Sequence, residues 1–436
     1  MLCSSVSGMN AIPRNSTAMG LGNTSQRMGV YAPKRLRLAV VVPTRNRADL
    51  ALNAVRSLLK CAERSFEVLL SDNSTLSLHT EQLTHFVECT PDERLFLLRP
   101  PTAMSMTRHW DWAVEAALAR PLTSHVVVLT DRMMFKHGCL DSLLAIIAQH
   151  PEQIVSYDHD RVVDHRTPIT VDLAAWSDEV IQLSSERLLA LSSRCIFVPA
   201  LPRLLNSAVP RAVLEDVRNR FGTIVGSSSP DYSFCYRSLA LVDNIAYWDR
   251  APIVHYALAQ SNGESSARGV QTAASVDFVE TIEGTMFASA PCPGVRTVRN
   301  AILHEYFVVS EESSSTKFPT IDVDTYASML HSEIEAMENR ELATEMTARL
   351  EVWLSSAAVQ KQRLGRGGSL RRLARRWGIG SLFLWVRQKV TGATPQPSQE
   401  QRASREFAEA NDALDYAMAS NGERLPAMRL AFMLSR

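Results

Sequence analysis

The chain has 436 residues, of which 46% are hydrophobic and 21% are charged, so it is long enough for two or three domains with ordinary cores. Lysine plus arginine and aspartate plus glutamate each total 46, and this balance gives no reason to expect a nucleic-acid partner. The seven cysteines form no CxxC pair, which argues against a zinc site or a disulfide framework and favours a reducing, cytoplasmic compartment.

We expect the chain to divide into four segments. No apolar stretch reaches the roughly 20 residues that a helix needs to cross a bilayer, and the N-terminus lacks the apolar block of a secretory signal. The expected segments are a disordered leader over residues 1–34, an α/β domain over 35–305, a helical and basic region over 306–390, and a linker with a terminal helix over 391–436.

From Leu36 onward the sequence alternates between short apolar runs and amphipathic stretches. The apolar run at residues 36–42 predicts a strand that is covered on both faces, and Asp49 begins a predicted helix. Further strands are predicted at residues 66–70, 95–98, 126–129 and 154–157, with helices around 106–117 and 140–147. This alternation predicts an α/β fold with a mostly parallel central sheet flanked by helices.

The second half of the chain is predicted to be more helical. Helices are expected at residues 186–191 and 211–220, the latter ended by Gly222, and a third begins after Pro230. Residues 325–360 form a polar helical stretch.

Polar residues follow three of the predicted strands. Thr44, Arg45 and Asn46 come after the first strand, Asp72 after the second and Asp131 after the fourth. Because ligands bind beyond the carboxyl ends of parallel strands, we expect these residues to share one binding edge. The chain has no GxxxxGK[ST] motif, and no GxGxxG follows the first strand, so two familiar phosphate loops are excluded.

The segment Val41-Val-Pro-Thr-Arg-Asn-Arg47, a helix, and then Val68-Leu-Leu-Ser-Asp-Asn-Ser74 resemble the opening of family-2 glycosyltransferases with the GT-A fold. The resemblance covers about residues 36–260. It implies an enzyme that moves a sugar from a nucleotide-sugar donor, of the UDP type, to an acceptor hydroxyl with inversion. The residues that it assigns to the donor are Pro43, Thr44, Arg45, Asn46, Asp72, Asp131 and Arg132.

Asp72 has two interpretations. In the family, the aspartate after the second strand holds the nucleobase and ribose, and a carboxylate can accept hydrogen bonds from an imide N–H or from ribose hydroxyls. Asp72-Asn73 is also the composition of an ordinary turn at a strand end. The neighbouring Pro-Thr-x-Asn-Arg segment favours the binding role.

The family's metal motif is incomplete in this chain. An Asp-x-Asp pair should end the fourth strand and place a divalent metal on the donor diphosphate, but Leu129-Thr-Asp-Arg-Met-Met134 keeps only Asp131. One carboxylate is a weak site for Mg²⁺ or Mn²⁺, so the sequence gives a divalent metal cofactor little support. Either a metal is held by Asp131 and a late histidine, His255, or Arg132 supplies the positive charge instead.

Asp231, in Ser229-Pro-Asp-Tyr-Ser-Phe234, matches the region where the family carries its general base. In that role it would remove the proton of the acceptor hydroxyl while the sugar is attacked from the face opposite the diphosphate. An aspartate at the start of a helix is also a common capping residue. The resemblance favours the catalytic role.

Residues 361–390 hold nine lysines or arginines and no acid. Within them, residues 370–385 interleave arginines with Leu, Phe and Trp, which is typical of an amphipathic helix at a membrane interface. Packing on the catalytic domain is the alternative. The resemblance implies a glycan or lipid-linked acceptor, a role in cell-surface polysaccharide synthesis, and a location at the inner face of the membrane.

Two other functions are compatible with this sequence. The missing second aspartate fits a relative that binds nucleotide-sugars without transferring the sugar. A nucleotidyltransferase would have a similar sheet, but that class begins with a glycine-rich loop, which is absent after Val42.

Overall fold

The computed structural model of the chain describes residues 37–226, 228–281, 286–364 and 402–425. The predicted leader over residues 1–34, the basic segment at 370–385 and most of the predicted linker lie outside the described residues.

The described residues contain eleven strands. In chain order they are β1 Leu38–Thr44, β2 Phe66–Asp72, β3 Leu95–Leu98, β4 His125–Val128, β5 Met133–Phe135, β6 Val155–Val163, β7 Ile169–Ala174, β8 Val180–Ser184, β9 Ser207–Pro210, β10 Asn244–His255 and β11 Arg402–Phe407.

The helices of the described residues surround this sheet. They are α1 Ala48–Leu59, α2 Ser77–Cys89, α3 Met106–Leu118, α4 Cys139–Gln149, α5 Ser185–Ser193, α6 Arg211–Phe221, α7 Pro230–Leu241, α8 Asn262–Arg268, α9 Ala273–Thr281, α10 Val298–Ser313, α11 Val323–Ala336, α12 Arg340–Leu364 and α13 Ala410–Ala419.

Strands β1 to β4 form the parallel part of the sheet, in the spatial order β3-β2-β1-β4. Beyond β4 the sheet continues through β9, β6, β7 and β11 in antiparallel pairings, while β10 pairs parallel with β6. The predicted α/β class with a helix-flanked central sheet is confirmed, and its parallel strands are those that the sequence indicated.

Alternate residues of the parallel strands enter two separate cores, one on each face of the sheet. In β1, Ala39 and Val41 pack into one core, whereas Leu38, Val40 and Val42 pack into the other. Successive side chains of a strand point to opposite faces, so a strand with helices on both sides must be apolar throughout. This explains why the first strand is a continuous apolar run and not an alternating one.

Helices from the later part of the chain pack on the same core as the sheet. Tyr306 of α10, Leu330 of α11 and Leu350 of α12 belong to the apolar cluster that contains Val126 of β4. Helix α10 runs across the predicted boundary at residue 305, and the four-segment division stays a prediction. Within the described part of the chain, no helix combines the length and the apolar character that crossing a bilayer requires.

The C-terminal segment adds an edge strand that the sequence did not predict. Strand β11 pairs antiparallel with β7, and the indole Nε1 of Trp176 donates to the carbonyl of Gly422 at 2.9 Å. Lys136 forms a buried ion pair with Asp160 and also donates to the carbonyl of Ser420 at 2.5 Å. Residues 402–425 are therefore an integral part of the sheet.

Gly422 approaches the backbone of β7 too closely to carry a side chain. A Cβ at this position would lie 2.0 Å from the carbonyl oxygen of Ala174. We expect Gly422→Ala to lower the free energy of unfolding by about 1–3 kcal/mol, because the strand and the tail must separate to admit the methyl group. Urea denaturation measures the change.

Gly263→Ala is the matched control, since the nearest heavy atom to a Cβ there is 3.9 Å away. It should leave the unfolding midpoint close to that of the original chain. Equal midpoints for Gly422→Ala and the original chain would contradict the close approach.

Candidate functional site

Strands β1, β2 and β4 end at the same level of the sheet. Thr44 pairs in register with Asp72, and Val41 pairs with Val128. Thr44 lies three residues after Val41, and Asp131 lies three residues after Val128. The hydroxyl of Thr44 consequently reaches Asp131 and donates to its Oδ2 at 3.0 Å. The strand ends that the sequence singled out are therefore brought together at one edge.

This edge opens into a cleft of about 1440 Å³. Pro43, Thr44, Arg45, Asn46, Asp131 and Arg132 line it, and so do His255 and Asp231 from the second half of the chain. At the end of β2 the lining residue is Asn73. Of the predicted site residues, all but Asp72 thus face one cavity.

Asn46 shapes the turn that carries the predicted donor residues. It has a φ of 55°, a left-handed conformation that asparagine tolerates better than most residues. Its Oδ1 accepts hydrogen bonds from the backbone N–H groups of Thr75 and Leu76 at 2.9 and 3.1 Å. The side chain thereby ties the loop after β1 to the loop after β2.

Asp72 is fully buried, and the protein itself uses both of its carboxylate oxygens. Oδ1 accepts from the N–H of Ser74 at 2.8 Å, and Oδ2 accepts from Thr80 Oγ1 at 3.1 Å and Arg99 Nη2 at 2.9 Å. Burial raises the pKa of Asp72, but these hydrogen bonds outweigh it and hold the pKa below its usual range. Asp72 fixes this strand end, and its role as a nucleoside ligand stays a prediction.

Arg45 and Arg47 leave the β1 loop in different directions. Arg45 donates to the carbonyl of Met104 at 2.8 Å and forms an ion pair with Asp277 of α9 at 2.9 Å. Arg47 Nε lies 3.2 Å from Asp131 Oδ2, the same oxygen that accepts from Thr44. Sequence reasoning did not single out Arg47, because 84 positions separate it from the aspartate that it contacts.

The guanidinium of Arg132 contacts His255 in the cleft, as that of Arg47 contacts Asp131. Arg132 Nη1 lies 2.8 Å from His255 Nε2. Burial, together with the neighbouring Arg132, lowers the pKa of His255 well below its ordinary value, so His255 is neutral and accepts this hydrogen bond. Burial also lowers the pKa of Arg132 to about 10, which leaves the guanidinium charged at neutral pH.

The two residues predicted as metal ligands each contact a guanidinium group, and a metal between them stays a prediction. Arg47 Nε lies 3.2 Å from Asp131 Oδ2, and Arg132 Nη1 donates to His255 Nε2 at 2.8 Å. Among the described residues, no group of three or more His, Cys, Asp or Glu side chains is placed to hold a metal ion. Mg²⁺ and Mn²⁺ favour several oxygen ligands in one place.

Asp231 lies in the first turn of α7, directly after Pro230, and is half-buried in the same cleft. Burial raises its pKa, while Arg203 and the backbone N–H groups of its own helix start lower it. A carboxylate with a raised pKa is a stronger base, and one that accepts from N–H groups of the first turn stabilises the helix start, although the N-cap residue of α7 is Ser229. Asp231 therefore has the surroundings of both predicted roles.

Glu305 of α10 supports the segment before Asp231 and was not foreseen. It is fully buried, and its Oε1 accepts from the N–H of Ser229 at 2.8 Å. Burial raises the pKa of Glu305 to about 7, although Ser229 and Arg237 lower it. A charged residue inside the apolar run Ala301-Ile-Leu-His-Glu-Tyr-Phe-Val-Val309 is the sequence signal that could have identified it.

No protein-family model and no curated protein matches this chain. Among solved structures, it is similar to residues 1–349 of S. aureus TarS, with 13% identity, a TM-score of 0.41, and coverage of 74% of this chain and 92% of that chain. The same protein in complex with UDP-GlcNAc gives 14% identity, a TM-score of 0.41 and the same coverage. At these TM-scores the function has to be inferred from the residues of this chain.

Glu305 should make stability depend on pH. Its pKa of about 7 lies above the ordinary 4.5, so the native chain holds a proton that the unfolded chain releases between these values. Stability is therefore expected to fall as the pH rises through this window. Glu305→Gln should reduce that fall by roughly 1–3 kcal/mol, as measured by urea denaturation at pH 5 and pH 8.

Glu351→Gln, at an exposed glutamate of α12, is the control and should leave the pH dependence as it is. If Glu305→Gln changes stability equally at both pH values, the raised pKa is wrong.

Proposed function

We propose that this chain is a glycosyltransferase of the GT-A class that moves a sugar from a UDP-type donor to an acceptor hydroxyl. The observation that carries the proposal is the single cleft in which the ends of β1 and β4 meet Asp231. The parallel strand edge supplies a nucleotide site of the kind that α/β sheets form, and Asp231 supplies a base beside it.

The donor half of the cleft is the β1–β4 edge. Thr44 ends β1, Arg45 and Asn46 follow it, and Asp131 and Arg132 follow β4. Asp72 and the Asn46 side chain hold the two loops of this edge in place, which supports a preformed nucleotide site. Guanidinium groups in this half suit the negative charge of a diphosphate.

In the proposed reaction, Asp231 accepts the proton of the acceptor hydroxyl. The hydroxyl oxygen forms a bond to the anomeric carbon, and the bond from that carbon to the diphosphate oxygen breaks, so that its electron pair leaves with UDP. Attack from the face opposite the leaving group inverts the anomeric centre. The raised pKa of Asp231 supports its use as the base.

Both apolar and charged side chains line the proposed acceptor half of the cleft, and Arg203 lies over the ring of Tyr232. Phe197, Val198 and Ile302 line the wall near Asp231, and the ring of Tyr232 packs edge-on against Phe197 with centroids 6.3 Å apart. Such a wall suits an acceptor that carries an apolar group beside its hydroxyl, in keeping with a lipid-linked acceptor.

A specific observation favours the second candidate, a relative that binds nucleotide-sugars without transfer. Met133 takes the second carboxylate position of the metal motif and is fully buried in β5. UDP release from a panel of nucleotide-sugars separates the two candidates. Binding of UDP without release from any donor, with or without acceptor, would favour the non-catalytic relative.

Asp231→Asn should cut turnover by about 10²–10⁴-fold, because proton transfer is lost, and should leave UDP affinity unchanged. Asparagine keeps the capping oxygen, so the melting temperature should hold. Asp216→Asn, at an exposed aspartate of α6, is the matched control and should keep full turnover. Near-full transfer by Asp231→Asn, with reduced stability of Asp231→Ala, would show that the residue is only a cap.

The basic segment at residues 370–385 should bind anionic vesicles. Replacing Arg371, Arg372, Arg375 and Arg376 by Gln tests this without removing β11, which pairs with β7. Binding of the original chain to phosphatidylglycerol vesicles should fall with salt, since exposed charges are screened over about 8–10 Å at physiological ionic strength. Equal binding by the fourfold variant would overturn the membrane role.

A further inference from the structure

We infer that the cleft binds a diphosphate directly on the guanidinium groups of Arg47 and Arg132, at the position where relatives with a complete Asp-x-Asp use a divalent cation. The identity of the ligand as a nucleoside diphosphate rests on the proposed function. The anion site itself rests on the geometry around Asp131 and His255.

The strand end carries more positive than negative charge. Arg47 forms an ion pair with Asp131 at 3.2 Å, and Asp131 also attracts Arg132, so two guanidinium groups share one close carboxylate. The second aspartate position is Met133, which is apolar and fully buried. The other acids that act on Arg132 are Asp164 and Glu264, and Glu264 already pairs with Arg161 at 3.3 Å.

The guanidinium of Arg132 has a hydrogen-bond donor left over. Its Nη1 donates to His255, which is neutral and therefore contributes no counter-charge. Its Nε is buried and has no hydrogen-bond partner among the described residues. A guanidinium has five N–H donors, and a partly buried one with a donor unsatisfied is stabilised by an incoming anion.

Two contacts hold the guanidinium of Arg47 in place at the cleft. Its Nε contacts Asp131 at 3.2 Å and its Nη1 donates to the carbonyl of Gln260 at 3.3 Å, while the side chain keeps 23% of its surface exposed. These contacts orient the guanidinium at the cleft wall before any ligand arrives. Because Asp131 also accepts from Thr44, the aspartate serves to position Arg47.

The first experiment uses the original chain and needs no substitution. Calorimetry with UDP, uridine and inorganic pyrophosphate is carried out in EDTA and then with Mn²⁺. We expect UDP to bind at least tenfold more tightly than uridine in EDTA, and Mn²⁺ to change the affinity little. Binding of UDP that requires Mn²⁺ and disappears in EDTA would overturn the inference.

The second experiment removes each guanidinium. Arg132→Gln and Arg47→Gln should each weaken UDP and pyrophosphate binding by about 10–100-fold, the usual range for charge-assisted hydrogen bonds, while uridine binding stays the same. Arg132→Lys should recover only part of the affinity, because an ammonium lacks the planar fork. Arg64→Gln, at an exposed arginine outside the cleft, is the control and should change nothing.

The melting temperature of Arg132→Gln shows whether this variant folds. If it does not, Arg47→Gln decides the outcome, because Asp131 keeps its hydrogen bond from Thr44 in that variant and the strand end should stay folded. UDP affinity equal to that of the original chain in both variants would overturn the inference. If pyrophosphate binds through the arginines, UDP binds no more tightly than pyrophosphate and uridine does not bind, the anion site stands and the proposed function fails. If nothing binds in EDTA, the anion site fails as well.

Discussion

Parallel pairing of β1 with both β2 and β4 is the constraint on which the site depends. It pairs Thr44 with Asp72 on one side and brings the Thr44 hydroxyl to Asp131 on the other, without any long loop. A slip of one residue would turn Thr44 away from Asp131 and transfer the apolar side chains of β1 to the opposite cores. The apolar packing on both faces therefore fixes the polar edge.

Asp72 and Asp231 have different surroundings, and these shift their pKa values in opposite directions. Asp72 receives hydrogen bonds from Ser74, Thr80 and Arg99, and it stays ionised as a structural anchor. Asp231 is desolvated and has mainly its own helix start and Arg203 to stabilise its charge, so its pKa rises. The opposite pKa shifts of Asp72 and Asp231 thus follow from the number of donors around each carboxyl group.

The sequence predicted the parallel part of the fold well because each of its strands contains a run of apolar residues. Helix α2 was not predicted, because Leu83 is its only fully buried residue. Strand β11 was not predicted either, because its sequence Arg-Ala-Ser-Arg-Glu-Phe is mostly polar. Contacts between distant segments could not be foreseen either. Three contacts form only when the elements pack. Arg99 donates to Asp72, Arg47 forms an ion pair with Asp131, and Ser229 donates to Glu305.

The pairing of β11 with β7 also has a consequence for how the chain is made. Ser404 bonds to Asp172 across 232 positions of sequence, so β7 emerges from the ribosome long before its edge partner exists. Until then its N–H and C=O groups form an open edge, and such edges are templates for pairing with other chains. Closing so long a loop is also slow compared with local pairing. The edge at β7 is therefore open to pairing with other chains until residues 402–407 have been made.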